Sequence, residues 1–325
     1  MLHQDDDANF HKPGPENDWR EAYYCNFEDV SSDLCGVAWQ GARVNQGHGE
    51  AVFLLVDGHR ELIRSINFDF TFPPNTVDPS RKMGPQEFVC VEPWRRWDIH
   101  YKKGADDITV RWSQLTDVCD WEWGDITNQS KRFEYSGRIE VTGVVAGRPI
   151  SFNGYGQRDR SWGSRSYGPL EYGLNMAAQF PDDAAVHAFL LKMGDGTVRL
   201  MGYLHMDNKT VGLKSCEVTV KHSDERGPPI SGSYNFVDQS GRHMEIDSFS
   251  IINHLGFGVR DEDPSKCVLD VSKPKSLMFL TWQRYVRRDG VSGRGYMDAN
   301  YQVGKIPSRM SAGPPLYSTL YSYGR

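Results

Sequence analysis

Residues 66–72 alternate strictly: Ile66, Phe68, Phe70 and Phe72 fall on one side, Asn67, Asp69 and Thr71 on the other. A period of two is that of a β-strand with one buried face. The apolar run 51–56 precedes it, with Asp57-Gly58 between them, and this dipeptide favours a tight hairpin turn because both central positions need positive φ. The arrangement recurs. Residues 139–145 and 150–155 flank Ala146-Gly147, 187–193 and 197–205 flank Gly194-Asp195-Gly196, and 234–237 and 243–246 flank Ser240-Gly241. Residues 277–286 and 295–303 flank a glycine-rich turn. No stretch keeps apolar residues at i, i+3, i+4 and i+7 beyond about two turns. Short strands joined by turns predict an all-β sandwich or barrel. Three irregular stretches remain. Residues 1–17 read as a polar extended arm, 73–85 as a proline-rich surface loop, and the tail from Ile306 as a surface wrap.

The chain has 325 residues, more than one hydrophobic core usually serves, so two domains are expected. A Gly- and Arg-rich stretch at 145–170 marks the junction, giving an N-terminal domain over 1–155 and a C-terminal domain over 156–325. The net charge of -6, without a basic run, disfavours nucleic acid as a partner. No segment reaches the roughly 18 apolar residues of a membrane span. Asp5, Asp6 and Asp7 near the start are the opposite of an export signal, which predicts a cytoplasmic protein with no membrane insertion. The six cysteines include no CxxC pair and read as buried free thiols. The ten histidines form no HxH or HExxH, and no GxGxxG or P-loop pattern occurs, so no metal and no cofactor is expected. Oligomeric state is left open, a homo-oligomer included.

The chemically densest segment is Gly154-Tyr155-Gly156-Gln157-Arg158-Asp159-Arg160-Ser161-Trp162-Gly163-Ser164-Arg165. As a strand it sends Tyr155, Gln157 and Asp159 to one face and Arg158 and Arg160 to the other. Two readings stand. In one, Asp159 is a salt-bridge staple and Trp162 a core plug; in the other, Asp159 is a proton donor or acceptor in an apolar pocket. Strict alternation keeps Arg158 and Arg160 off Asp159, which makes Arg165, beyond the Gly163 turn, its expected partner. A second cluster joins Trp282 and Arg284 on one strand to Tyr296 and Asp298 on the next. It is either a cross-strand ion pair with core aromatics or part of a site. Trp94, Trp97, Trp112, Trp121 and Trp123 crowd the first half, to fill a barrel or to line a cavity for a flat or cationic species.

The 154–165 segment resembles the G-x-x-D-H-S-W-G-x-R signature of the hydroxyneurosporene synthase (carotenoid 1,2-hydratase) and AttH-like superfamily. Trp19-Arg20-Glu21, Tyr24-Cys25-Asn26-Phe27, Glu92-Pro93-Trp94-Arg95-Arg96-Trp97, Phe133-Glu134 and Ser136-Gly137 are similar too, in the same order, as is the hairpin from Trp282 to Tyr301. The resemblance implies two tandem lipocalin-like antiparallel β-barrels and a hydrophobic, isoprenoid- or polyketide-like small-molecule substrate of secondary metabolism. It implies metal-independent acid–base chemistry of the hydro-lyase (hydratase) or isomerase/cyclase type. Asp159 takes the place of the motif carboxylate, and Trp162, Gly163 and Arg165 match the residues after it. Arg160 stands where the family has histidine, and an arginine, permanently charged, does not relay protons as histidine does. The expected catalytic residues are therefore Asp159, Arg165 and Asp298, with Tyr155, Arg158, Trp162, Trp282, Arg284 and Tyr296 binding substrate. The alternative is a non-catalytic lipocalin-like carrier of a terpenoid or other hydrophobic ligand.

Overall fold

In the computed structural model the described residues are 2–74, 81–121, 130–164, 170–259, 267–313 and 318–322. The backbone clusters into two compact units, residues 1–166 with 321–325, and residues 167–320. The division falls after Ser166; the junction expected at 155/156 lies inside a single long strand, Arg148–Gly163.

The first unit contains α1 (Gln4–Ala8) and strands β1 (Arg20–Asp29), β2 (Leu34–Arg43), β3 (His48–Asp57), β4 (Arg60–Thr71), β5 (Lys82–Met83), β6 (Gln86–Glu92), β7 (Arg96–Lys103), β8 (Asp106–Gln114), β9 (Val118–Trp121), β10 (Lys131–Val145) and β11 (Arg148–Gly163). The sheet order is β4-β3-β2-β1-β11-β10-β8-β7-β6-β5, all antiparallel, with β9 also pairing β10. It is an up-and-down barrel sealed by the β1–β11 pairing and open between β4 and β5. Two amides join β2 to the β5–β6 segment: Gln40 donates to the Arg81 carbonyl and Gln86 to the Trp39 carbonyl, each at 2.7 Å.

The second unit contains β12 (Leu170–Gln179), β13 (Ala185–Met193), β14 (Val198–Met206), β15 (Lys209–His222), β16 (Pro229–Asp238), β17 (His243–Val259), β18 (Cys267–Val268), β19 (Ser276–Arg287), β20 (Ser292–Gln302) and β21 (Met310–Ala312). Strands β12 to β17, β19 and β20 pair in sequence order and the β12–β20 pairing closes the ring, while β18 pairs β17 and β21 pairs β15. The protein is thus all-β, two tandem lipocalin-like barrels.

Each predicted hairpin is present. The turn between β3 and β4 centres on Gly58-His59, with Asp57 opposite Arg60 and Gly58 at a φ of 55°. The first core is aromatic, built on Phe53, Trp94, Trp97, Trp112, Phe133 and Tyr135; the second is aliphatic and tyrosine-rich. The arm expected over 1–17 is a correction. Residues 4–8 form a helical turn, Leu2 joins the first core, and Asp7 is fully buried. Its burial is explained below by a buried cation, which an acidic run read in isolation does not reveal. Cys90 and Cys267 are half-buried and the other four cysteines buried.

Candidate functional site

β11 distributes its charges by strand periodicity. Arg158, Arg160 and Trp162 point into the first barrel, opposite Cys25 and Tyr23 of β1 in the case of the arginines. Tyr155, Gln157 and Asp159 take the other face.

Inside, each arginine meets a carboxylate as deeply buried as itself, Arg158 with Asp7 and Arg160 with Glu21. Asp7 accepts from Arg158 Nη1 and the Tyr135 hydroxyl through Oδ1, and from the Trp94 amide and Trp97 Nε1 through Oδ2. The Arg158 guanidinium lies 3.8 Å from the Trp97 ring centre. Arg160 also donates to the carbonyls of Asn9 and Ala22 and lies 4.1 Å from the Tyr23 ring centre. Glu21 binds the His11 amide at 3.2 Å, and the His11 ring stacks on Trp162 at 3.9 Å. Burial opposes charge on both guanidiniums, but the paired carboxylates outweigh it and both are raised above the ordinary arginine value. Burial pushes the Tyr135 hydroxyl well up, against the lowering effect of Arg158, and pushes the Cys25 thiol up to about 12. Guanidiniums that stay charged and a phenol and thiol that stay protonated do not exchange protons near neutrality. The interior is an ion-pair lattice.

The opposite face differs. β10 and β11 place Glu134 directly across from Asp159. Arg132, two residues before Glu134 on the same face, reaches diagonally. Its Nη2 donates to Asp159 Oδ2 at 2.9 Å and its Nε to Glu134 Oε1 at 2.5 Å, while the guanidinium lies 4.8 Å from the Trp121 ring centre. Gln157 Nε2 donates to the other Glu134 oxygen. Glu134 is fully buried and Asp159 nearly so. Two carboxylates on adjacent strands thus meet the same guanidinium. A carboxyl group so placed is a candidate proton donor or acceptor.

The expected site residues divide accordingly. Asp159 and Tyr155 lie on the outward face of the first unit, while Arg158 and Trp162 lie inside it. Arg165 lies outside the described residues, as does Trp123; within the described residues Arg132 holds Asp159. In the second unit Trp282 stands opposite Tyr296, both buried, Asp298 stands opposite Leu280 and receives a 2.9 Å hydrogen bond from Asn300, and Arg284 is exposed. Met297, Ala299 and Tyr301 face that barrel's core, so Tyr296 and Asp298 face outward. Sequence reasoning missed Asp7, Glu21, Arg132 and the role of Glu134. A signal existed for two of them, because Arg132 and Glu134 alternate with the apolar Phe133 and Tyr135. A groove of about 420 Å³ opens at the β4–β5 seam, lined among others by Arg64, Ile66, Phe70, Gln86 and Lys103, and holds none of the expected site residues. No group of three or more His, Cys, Asp or Glu among the described residues is arranged to hold a metal ion. No described helix is long and apolar enough to cross a membrane.

A family model described as a domain of unknown function (DUF7064) matches residues 4–272. No curated protein matches. Among solved structures, a candidate AttH from Nitrosomonas europaea superposes with a TM-score of 0.62 at 15% identity, covering 89% of this chain and 95% of its own. Kievitone hydratase from Nectria haematococca superposes with a TM-score of 0.62 at 10% identity, covering 94% of each chain. These likenesses extend over both barrels and concern the fold.

Proposed function

The chain belongs to the DUF7064 family, and on that footing we propose that it is a cofactor-independent acid–base lyase of the hydratase type, acting on a bulky, mainly apolar alkene or its hydrated product. The observation that carries this reading is the buried pair Asp159 and Glu134 sharing Arg132. Asp159, the less buried of the two, delivers the proton to the double bond, and the cation that forms on the neighbouring carbon is stabilised by the remaining negative charge. Water adds to that carbon, and its proton returns to the carboxylate pair, so that alkene and water give alcohol with the acid restored. The reverse sequence is elimination. Arg132, donating to both carboxylates, fixes their rotamers. The fold shared with kievitone hydratase supports the reaction class; the substrate class is part of the proposal.

Native mass spectrometry of freshly purified protein supplies the ligand, and incubation with it followed by chromatography reads the gain or loss of one water. Asp159→Asn is expected to lower turnover by about 10²-fold or more with the fold retained by circular dichroism. Full activity in that variant overturns the assignment. The carrier reading draws on the seam groove. It predicts a co-purified ligand that is recovered unchanged and is lost on substitution of Phe70 rather than Asp159.

A further inference from the structure

Four hydrogen-bond donors of the first barrel converge on one carboxylate that is not part of the barrel wall. Arg158 comes from β11, Tyr135 from β10, Trp97 from β7 and the Trp94 amide from the turn before β7; the acceptor, Asp7, comes from the short N-terminal helix. The site is built rather than incidental. Trp94 holds a φ of 67°, a left-handed conformation disfavoured for a bulky residue, and in it presents its N–H to Asp7 at 2.6 Å. Arg158 is fully buried, yet only its Nη1 is engaged; Nε and Nη2 have no hydrogen-bond partner among the described residues. The guanidinium fork that suits bidentate carboxylate binding is therefore half used. Around Asp7 the same segment carries Leu2, buried in the first core, and Phe10, edge-on to Tyr23 at 5.5 Å. A carboxylate flanked by apolar groups has the chemical outline of an apolar carboxylic acid.

We infer that the interior of the first barrel is a binding site for an apolar carboxylic acid, for which residues 2–11 act as a tethered stand-in. The ligand's carboxylate takes the place of Asp7, using both arms of the Arg158 fork, and its hydrocarbon body takes the place of Leu2 and Phe10. The N-terminal segment must leave for this to happen, so segment and ligand compete. The site is separate from the Asp159 pair on the opposite face and does not depend on the acid–base reading.

The test uses the full chain carrying Asp7→Ala, with formate and decanoate as probes. Formate fills only the vacated carboxylate position and is expected to raise the melting temperature of D7A saturably, with no such effect on the unsubstituted protein. Decanoate needs the whole segment displaced, and by calorimetry is expected to bind D7A about tenfold or more tightly than the unsubstituted protein, because the competitor is weakened. In the double variant D7A/R158M both charges are gone, and the response to formate is expected to vanish. Should D7A not fold, Asp7→Asn preserves the shape and carries the decanoate comparison. Hydrogen exchange on the unsubstituted protein with saturating decanoate gives a second reading, in which residues 2–11 lose protection. Equal decanoate affinity with and without Asp7, no formate response in D7A, or unchanged exchange over residues 2–11 overturns the proposal.

Discussion

Removing Arg160 while leaving Glu21 in place isolates the cost of an uncompensated buried charge. Both side chains are fully buried, and Arg160 serves four acceptors: the Glu21 carboxylate and the carbonyls of Asn9, Ala22 and Ser161. Arg160→Met keeps most of the volume and strands all four. Breaking one side of a buried pair destabilises by about 3–5 kcal/mol, much of it the penalty of the carboxylate left behind. Removing both charges, in Glu21→Leu with Arg160→Met, returns the site to an apolar core and is expected to lie within about 2 kcal/mol of the unsubstituted protein. The coupling in the double-mutant cycle should therefore exceed about 1 kcal/mol and favour the double variant. The assay is urea unfolding followed by tryptophan fluorescence. Eight of the nine tryptophans lie within residues 1–166, only Trp282 being outside, so the signal reports the first unit. A single variant losing less than about 1 kcal/mol, or a double variant losing the full sum of the singles, refutes the reasoning.

Two further outcomes follow from the packing. Gly137→Ala puts a Cβ 2.3 Å from the Trp112 ring and 2.5 Å from the Ser113 carbonyl; the backbone oxygen cannot give way, so a loss of about 1–3 kcal/mol in urea unfolding is expected, and a neutral result contradicts the close approach. In the second unit His222 donates through Nδ1 to the Gly227 carbonyl at 2.8 Å, and its Nε2 meets the Tyr172 hydroxyl at 3.0 Å. Burial lowers its pKa below 6.5, against the raising effect of the Gly227 bond. The folded state thus resists protonation more than the unfolded state, and the stability from this group is complete above about pH 6.5 and declines as pH falls toward the lowered value, by at most about 1.4 kcal/mol per unit. Thermal unfolding by circular dichroism from pH 7 to 5 should show that slope, and His222→Gln should flatten it; identical slopes refute the assignment.

The strands were legible because each carries its own evidence. Residues 66–72 need only their neighbours to declare a half-buried strand, and Ala146-Gly147 declares a turn; both are in place, β4 and the β10–β11 connection. The allocation of Arg158 and Arg160 to one face of β11 and Asp159 to the other was legible for the same reason, since alternation is a local property. The partners were not. Asp7 lies 151 residues from Arg158 in sequence and Glu21 139 from Arg160, and no local pattern separates a buried acid from a solvated one. Three consecutive aspartates read as a solvated arm until the barrel supplies a cation inside. Arg132 reaches Asp159 through the register of β10 on β11, which the hairpin at Ala146-Gly147 fixes in principle. Counting back from that turn pairs Glu134 with Asp159, so this contact was available to anyone who carried the register through the full strand.

The two faces of β11 explain why the position after Asp159 accommodates an arginine where related motifs carry a histidine. Arg160 points into the barrel, onto Glu21 and the ring of Tyr23, while Asp159 points out, onto Arg132 and opposite Glu134. A residue at 160 therefore acts on the acid through the backbone they share and through its field rather than by direct contact. Replacing a titratable ring there by a fixed cation alters the interior lattice, and Glu21 is present to neutralise it. Among the described residues, the outward face there carries Asp159, Glu134 and Arg132. On the acid–base reading proposed above, Glu134 rather than residue 160 is the side chain beside Asp159, because the two carboxylates reach the same guanidinium from adjacent strands.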